Sequence, residues 1–196
     1  MKKIEMKNLL VAILCVIGIS SVNGQKFTDI DKSVMDASYY PSDAPFRSFA
    51  KTPEAKAAAE PKIKVIYSRP LAKGRKVFGE LLEFGKPWRV GANESTEIIF
   101  MTDVEFGGKA IKAGRYSLIA IPQKDSWTIY LNSELDGWGD YSYKPELDLA
   151  SVKASTQNSK ETIEALSIAM YEKSKNVVHL KIGWDNTIVE VPITLK

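Results

Sequence analysis

In the closing stretch TIVEVPITL, Val189, Val191, Ile193 and Leu195 fall on one side of an extended chain, and Glu190, Pro192 and Thr194 on the other. Alternation of this kind predicts a half-buried strand; Pro192, which cannot donate to a ladder, predicts an edge or irregular one. Similar period-two runs occur in KIKVIYS (62–68), TEIIFMT (96–102), RYSLIAI (115–121), WTIYLN (127–132), LSIAMY (166–171) and VVHLKIGW (177–184). Turn-forming residues stand between them at Gly107-Gly108, Gln123 to Asp125, Ser174 to Asn176 and Asp185-Asn186. Short strands separated by such turns predict an all-β protein, an antiparallel β-sandwich or barrel of about eight strands over residues 62–196. One short helix is expected over Val77 to Phe84.

Residues 25–61 read differently. Their first half is rich in Asp, Ser, Tyr and Pro and predicts an extended N-terminal arm. The second half, TPEAKAAAE, predicts a short helix with Thr52 as N-cap and Pro53 in its first turn. Phe27, Ile30, Val34, Met35, Tyr39, Tyr40, Phe46 and Phe49 give this arm more apolar surface than a disordered linker carries, so it is expected to lie on the domain. Residues 1–24 have a basic start, an apolar run from Leu9 to Ile19 and then small residues, the pattern of a secretory signal peptide cleaved before Gln25. The apolar run is too short for a spanning helix, so no stable membrane insertion is expected once the signal is removed, and the mature chain is expected in the periplasm or at the cell surface.

Composition sharpens this picture in two places. The sole cysteine, Cys15, lies within the signal, so the mature chain would have no disulfide, no zinc–thiolate site and no cysteine nucleophile. Of the formal charge of +3, most belongs to the leader: removing Lys2, Lys3 and Lys7 against Glu5 leaves 24 basic and 23 acidic residues, or +1. No basic stripe remains to bind nucleic acid.

Four longer segments carry a family resemblance: IDKSVMDASYYP (30–41), YSRP (67–70), KGRKVFGELLEFGKPWRVGANEST (73–96) and GGKAIKAGRYSLIAIP (107–122). Together they resemble the secreted Bacteroidota family catalogued as domain of unknown function 2911. The resemblance implies an exported β-rich domain and brings no established activity or catalytic residue with it.

Chemistry must therefore be sought in the residues. In WRVGANEST, Gly91 permits a positive φ, and Asn93, Glu94 and Ser95 can bond loop amides without any ligand. Equally, Arg89, Asn93 and Glu94 can present a forked donor, an amide and a carboxylate to a polar ligand, with Trp88 beneath. A second loop, 131–148, holds Trp138, Asp140, Tyr141 and Tyr143. Its aromatic rings either stack on a ligand or form a lid over the core. Asn132, Glu134 and Asp136 imitate the opening of a calcium loop, but Tyr143 stands where a bidentate Glu is required.

For catalysis the chain offers a single histidine, His179, no G-x-S-x-G elbow and no His pair for a catalytic metal; paired carboxylates remain open. The expectation is an exported, non-catalytic binding module for a glycan or peptide, without cofactor or metal. Its candidate binding residues are Trp88, Arg89, Asn93, Glu94, Trp138, Asp140 and Tyr141. The alternatives are a carboxylate-dependent glycan hydrolase using Glu94 and Asp140, and a purely structural envelope protein.

Overall fold

The alternation at the C-terminus is present in the fold: Val189, Val191 and Ile193 are fully buried, Leu195 is partly buried and Pro192 is exposed. A computed structural model describes residues 27–196. The expected signal peptide, with Cys15 and cleavage before Gln25, lies outside the described residues. Asp31–Lys196 form one compact unit.

Nine strands make up a continuous antiparallel sheet. They are β1 (Met35–Tyr40), β2 (Ile63–Ser68), β3 (Glu97–Phe100), β4 (Val104–Phe106), β5 (Lys109–Ile111), β6 (Gly114–Pro122), β7 (Ser126–Asn132), β8 (Asp148–Ser174) and β9 (Val177–Leu195). In space they run β1-β2-β3-β6-β7-β8-β9-β4-β5. Part of the expected arm belongs to this sheet, since β1 pairs along its whole length with β2. The helix expected beyond it is α1 (Pro53–Ala58), where the Thr52 hydroxyl accepts from Ala55 N at 3.1 Å as an N-cap.

VVHLKIGW and TIVEVPITL are one bent strand, β9. Asp185, at φ 51°, interrupts its regular pairing with β8, whose register shifts on both sides of Ile163. β9 then folds back on itself: Leu195 N donates to Asn176 O at 2.8 Å, and the side chains of His179 and Glu190 meet at 3.1 Å. β8 bends with it. Its first part pairs with β7, while further along Leu166 N donates to Pro70 O at 3.0 Å, Ala72 N donates to Glu164 O at 2.7 Å and Ile168 N donates to the Tyr67 hydroxyl at 3.0 Å. The sheet thereby curls over one core.

An aromatic cluster occupies the core. Phe78 lies 4.7 Å from Trp127 and 5.7 Å from Trp88, and Trp88 stacks on Trp184 at 6.0 Å. The anchoring of Phe78 here is also why residues 77–84 do not form the expected helix. Val77 and Phe78 turn inward, and the segment closes as a loop in which Leu82 N donates to Val77 O at 2.8 Å and Gly79 N donates to Leu82 O at 2.8 Å. Burial of two large apolar side chains outweighs a weak local helix preference.

Candidate functional site

Trp88 leads the WRVGANEST segment onto β6, where its backbone exchanges two hydrogen bonds with Ala120, at 2.7 and 2.8 Å. Its indole is buried in the core and donates to Gly91 O at 3.1 Å, so Trp88 is a structural floor and not an exposed platform. The left-handed residues of the loop are Val90 (φ 52°) and Asn93 (φ 62°), not Gly91 as its sequence suggested. Gly91 is needed for space: a Cβ there would stand 2.8 Å from Thr96 Oγ1, which donates to Val90 O.

Arg89 leaves this floor toward the second loop. Its side chain is 11% exposed, and its Nε and Nη2 both lie 2.5 Å from Asp140 Oδ1. Nη1 donates to Asn93 O, and the guanidinium sits 5.2 Å from the centre of the Tyr141 ring. Such close contact requires Gly139 (φ 62°), because a Cβ at that position would lie 2.4 Å from Arg89 Cδ. Ser95 joins the loops independently: its N donates to Gly137 O at 3.0 Å and its hydroxyl accepts from Gly139 N at 3.1 Å. The two Gly-containing segments therefore satisfy each other's polar groups.

Beside this clamp opens a groove of ≈ 410 Å³. Trp88, Trp184 and Leu82 supply apolar wall, while Arg89, Asn93 and Asp140 supply polar edge. Trp138 and Tyr141, 53% and 83% exposed, stand on the same loop as Asp140. Glu94 is exposed, and its carboxylate makes no hydrogen bond or ion pair among the described residues. Arg75 and Trp184 also border the groove, and sequence reading did not select either. Arg75 reaches it only because the 70–75 turn is bonded to β8, a long-range pairing with no local signature.

The other candidates separate. Asn132 donates to Lys144 O and Asp148 Oδ1, both at 2.8 Å, Glu134 pairs with Lys144 at 2.9 Å, and Asp136 pairs with Arg115 at 2.8 Å. These alternate side chains thus serve three different partners. Burial, then the hydrogen bond it donates to Asp148 Oδ2, raises the Tyr143 phenol well above its usual range. His179 meets Glu190, whose carboxyl is held below the usual range first by the Tyr171 hydroxyl at 2.6 Å and then by His179.

A family model described as a protein of unknown function, DUF2911, matches residues 48–193. The chain belongs to this family. Comparisons with curated proteins and with solved structures find no match. DUF2911 carries no activity in its description, so function rests on the groove and the clamp beside it.

The clamp can be weighed. Removing one partner of a fully buried ion pair costs roughly 3–5 kcal/mol. Asp140 retains 33% exposure, so water compensates part of that loss. Arg89→Ala is expected to destabilise by about 2 kcal/mol, and Arg89→Lys by about half as much, because lysine keeps the charge but loses the fork. Urea unfolding of the three chains checks this. An Arg89→Ala midpoint equal to the parent's would mean that the clamp contributes nothing to stability.

Proposed function

We propose that this DUF2911 protein is an exported, non-catalytic module of the cell envelope that binds a glycan along the groove beside the Arg89–Asp140 clamp. The observation that carries this reading is exposed aromatic area, Trp138 and Tyr141, on the loop whose Asp140 supplies the groove's polar edge, although neither ring itself borders the groove. Tyr141 covers a guanidinium that itself borders the groove, with Trp138 on the same loop. Sugars present apolar C–H faces and hydroxyl edges, and sites of this mixed kind suit both. Export rests on the leader-like residues 1–24, and the family resemblance agrees with it.

The hydrolase reading draws less support from the geometry. Glycoside hydrolysis needs two carboxyl groups facing each other across the scissile bond. Asp140 is committed to Arg89, and Glu94 is not among the residues bordering the groove.

Titration of the mature chain with soluble polysaccharide fragments, followed by tryptophan fluorescence and calorimetry, tests the proposal. Trp138→Ala and Tyr141→Ala are expected to weaken glycan binding about tenfold each, the equivalent of roughly 1.4 kcal/mol, with little change in Tm. The proposal fails if no glycan perturbs the protein, if extended peptides bind in their place, or if both substitutions leave affinity intact.

A further inference from the structure

Arg75 stands at the groove without a carboxylate partner. It is held by its own turn: Nε donates to Ala72 O at 2.8 Å and Nη2 donates to Leu71 O at 2.6 Å. These two bonds occupy one side edge of the planar guanidinium. The terminal edge, with one N–H from each of Nη1 and Nη2, meets no protein acceptor among the described residues and forms a fork of the width that grips a carboxylate through two bonds.

The turn that carries Arg75 is itself fixed. Ala72 N donates to Glu164 O, Lys73 N donates to Glu164 Oε1 at 2.9 Å, and Leu166 N donates to Pro70 O. Neighbouring carboxylates are engaged elsewhere, Glu164 with the Lys73 amide and Glu80 with Lys76 at 3.3 Å. Of the charged groups bordering the groove, Arg89 and Asp140 cancel, which leaves Arg75 as one unbalanced positive charge. A side chain already ordered by backbone carbonyls loses little further rotamer freedom when it binds an anion. One net charge and one planar fork match a monoanionic carboxylate better than a phosphate dianion, which calls for more cationic partners.

We infer that the groove takes an acidic sugar whose carboxylate sits on the terminal fork of Arg75. This rests on the glycan-binding reading and gives it a substrate class: uronic acids or other carboxylated sugars, their carboxylate on Arg75 in the groove that Arg89 and Asp140 also border.

The test uses the mature chain with three probes, trigalacturonic acid, its fully methyl-esterified form and a neutral galactose trimer, each titrated by calorimetry at low and moderate salt. The acid is expected to bind at least about tenfold more tightly than the ester. Arg75→Gln should erase that preference, and Arg75→Lys should keep only part of it, because the charge remains without the fork. Gln retains one donor for the turn carbonyls, and the far-ultraviolet dichroism of each variant checks the fold. Independently of any substitution, the acid should shift the Arg75 side-chain N–H resonances of the parent protein and the ester should not.

Equal binding of acid and ester, or an acid preference that survives Arg75→Gln in a folded protein, overturns this inference and leaves the glycan reading standing. If none of the three probes binds, this inference falls; if a triglutamate peptide competes better than any sugar, the glycan reading falls with it.

Discussion

Trp127→Ala should unfold this protein about 4 kcal/mol more easily than the parent, about twice the loss expected for Arg89→Ala. The ring is fully buried, packs against Phe78 at 4.7 Å and meets Trp88 edge-on at 5.5 Å. Its removal forfeits the transfer free energy of a large apolar group and leaves a hole that neighbours in a curled sheet fill poorly, a loss of roughly 3–5 kcal/mol. Trp127→Phe should be much milder, about 1–2 kcal/mol. The reason is specific: the Trp127 Nε1 is buried and has no hydrogen-bond acceptor among the described residues, so phenylalanine removes a polar group that the fold leaves unsatisfied. Urea denaturation of both variants tests the pair, and equal losses would show that the indole N–H makes a bond worth keeping. The consequence reaches the site, because Trp88 and Trp184 of the same cluster form the groove wall.

Gly107→Ala is expected to cost about 3 kcal/mol or more, and Gly108→Ala only about 1 kcal/mol, although both glycines sit in the same two-residue turn between β4 and β5. Each has a positive φ, 59° and 76°, so each alanine carries the left-handed penalty of roughly 1–2 kcal/mol. They differ in what a Cβ would meet. At Gly107 it would lie 2.1 Å from Ser151 O, a backbone atom of β8 that cannot swing aside, whereas at Gly108 nothing lies within 4 Å. Relief would require the hairpin to lift and uncover Val104, Phe106 and Ile111, all of which are buried. Differential scanning calorimetry should separate the two variants by several degrees; coincident curves would mean that the turn does not rest on β8.

These cases also show what the sequence made legible. The Gly-Gly turn, the Thr52 cap and the period-two runs are local signals, and each lies where its chemistry placed it. The middle of β8 was illegible because STQNSKETIE (155–164) is polar except for Ile163 and mostly solvent-facing, so its strand character comes from pairing, almost all of it with β9. The break read at Asp185-Asn186 is a bend inside β9, since a single left-handed residue can redirect a strand without ending it. At the site, WRVGANEST and the 131–148 loop could be matched because both carry Gly beside costly polar groups. The buried role of Trp88 could not, because it depends on Phe78 and Trp184, positions that only the curled sheet brings together.

The folded-back β8–β9 hairpin has a consequence for how the molecule comes apart. Its tight end joins Ser174 to Val177, its open end joins Thr156 to Val189, and the same two strands carry the ladder to β7 on one side and to β4 on the other. Among the described residues the two ends of this hairpin are joined by strand and not by a loop, with only the bend at Asp185 between them. Neither end therefore has a free connecting segment at which to melt or be cut away while the other persists. Loss of order at either end must run along shared backbone into the rest, which makes a single cooperative transition the natural mode of unfolding. Pairings this distant in sequence also place the protein among slowly folding topologies, in which most loop-closure entropy must be lost before the core can form.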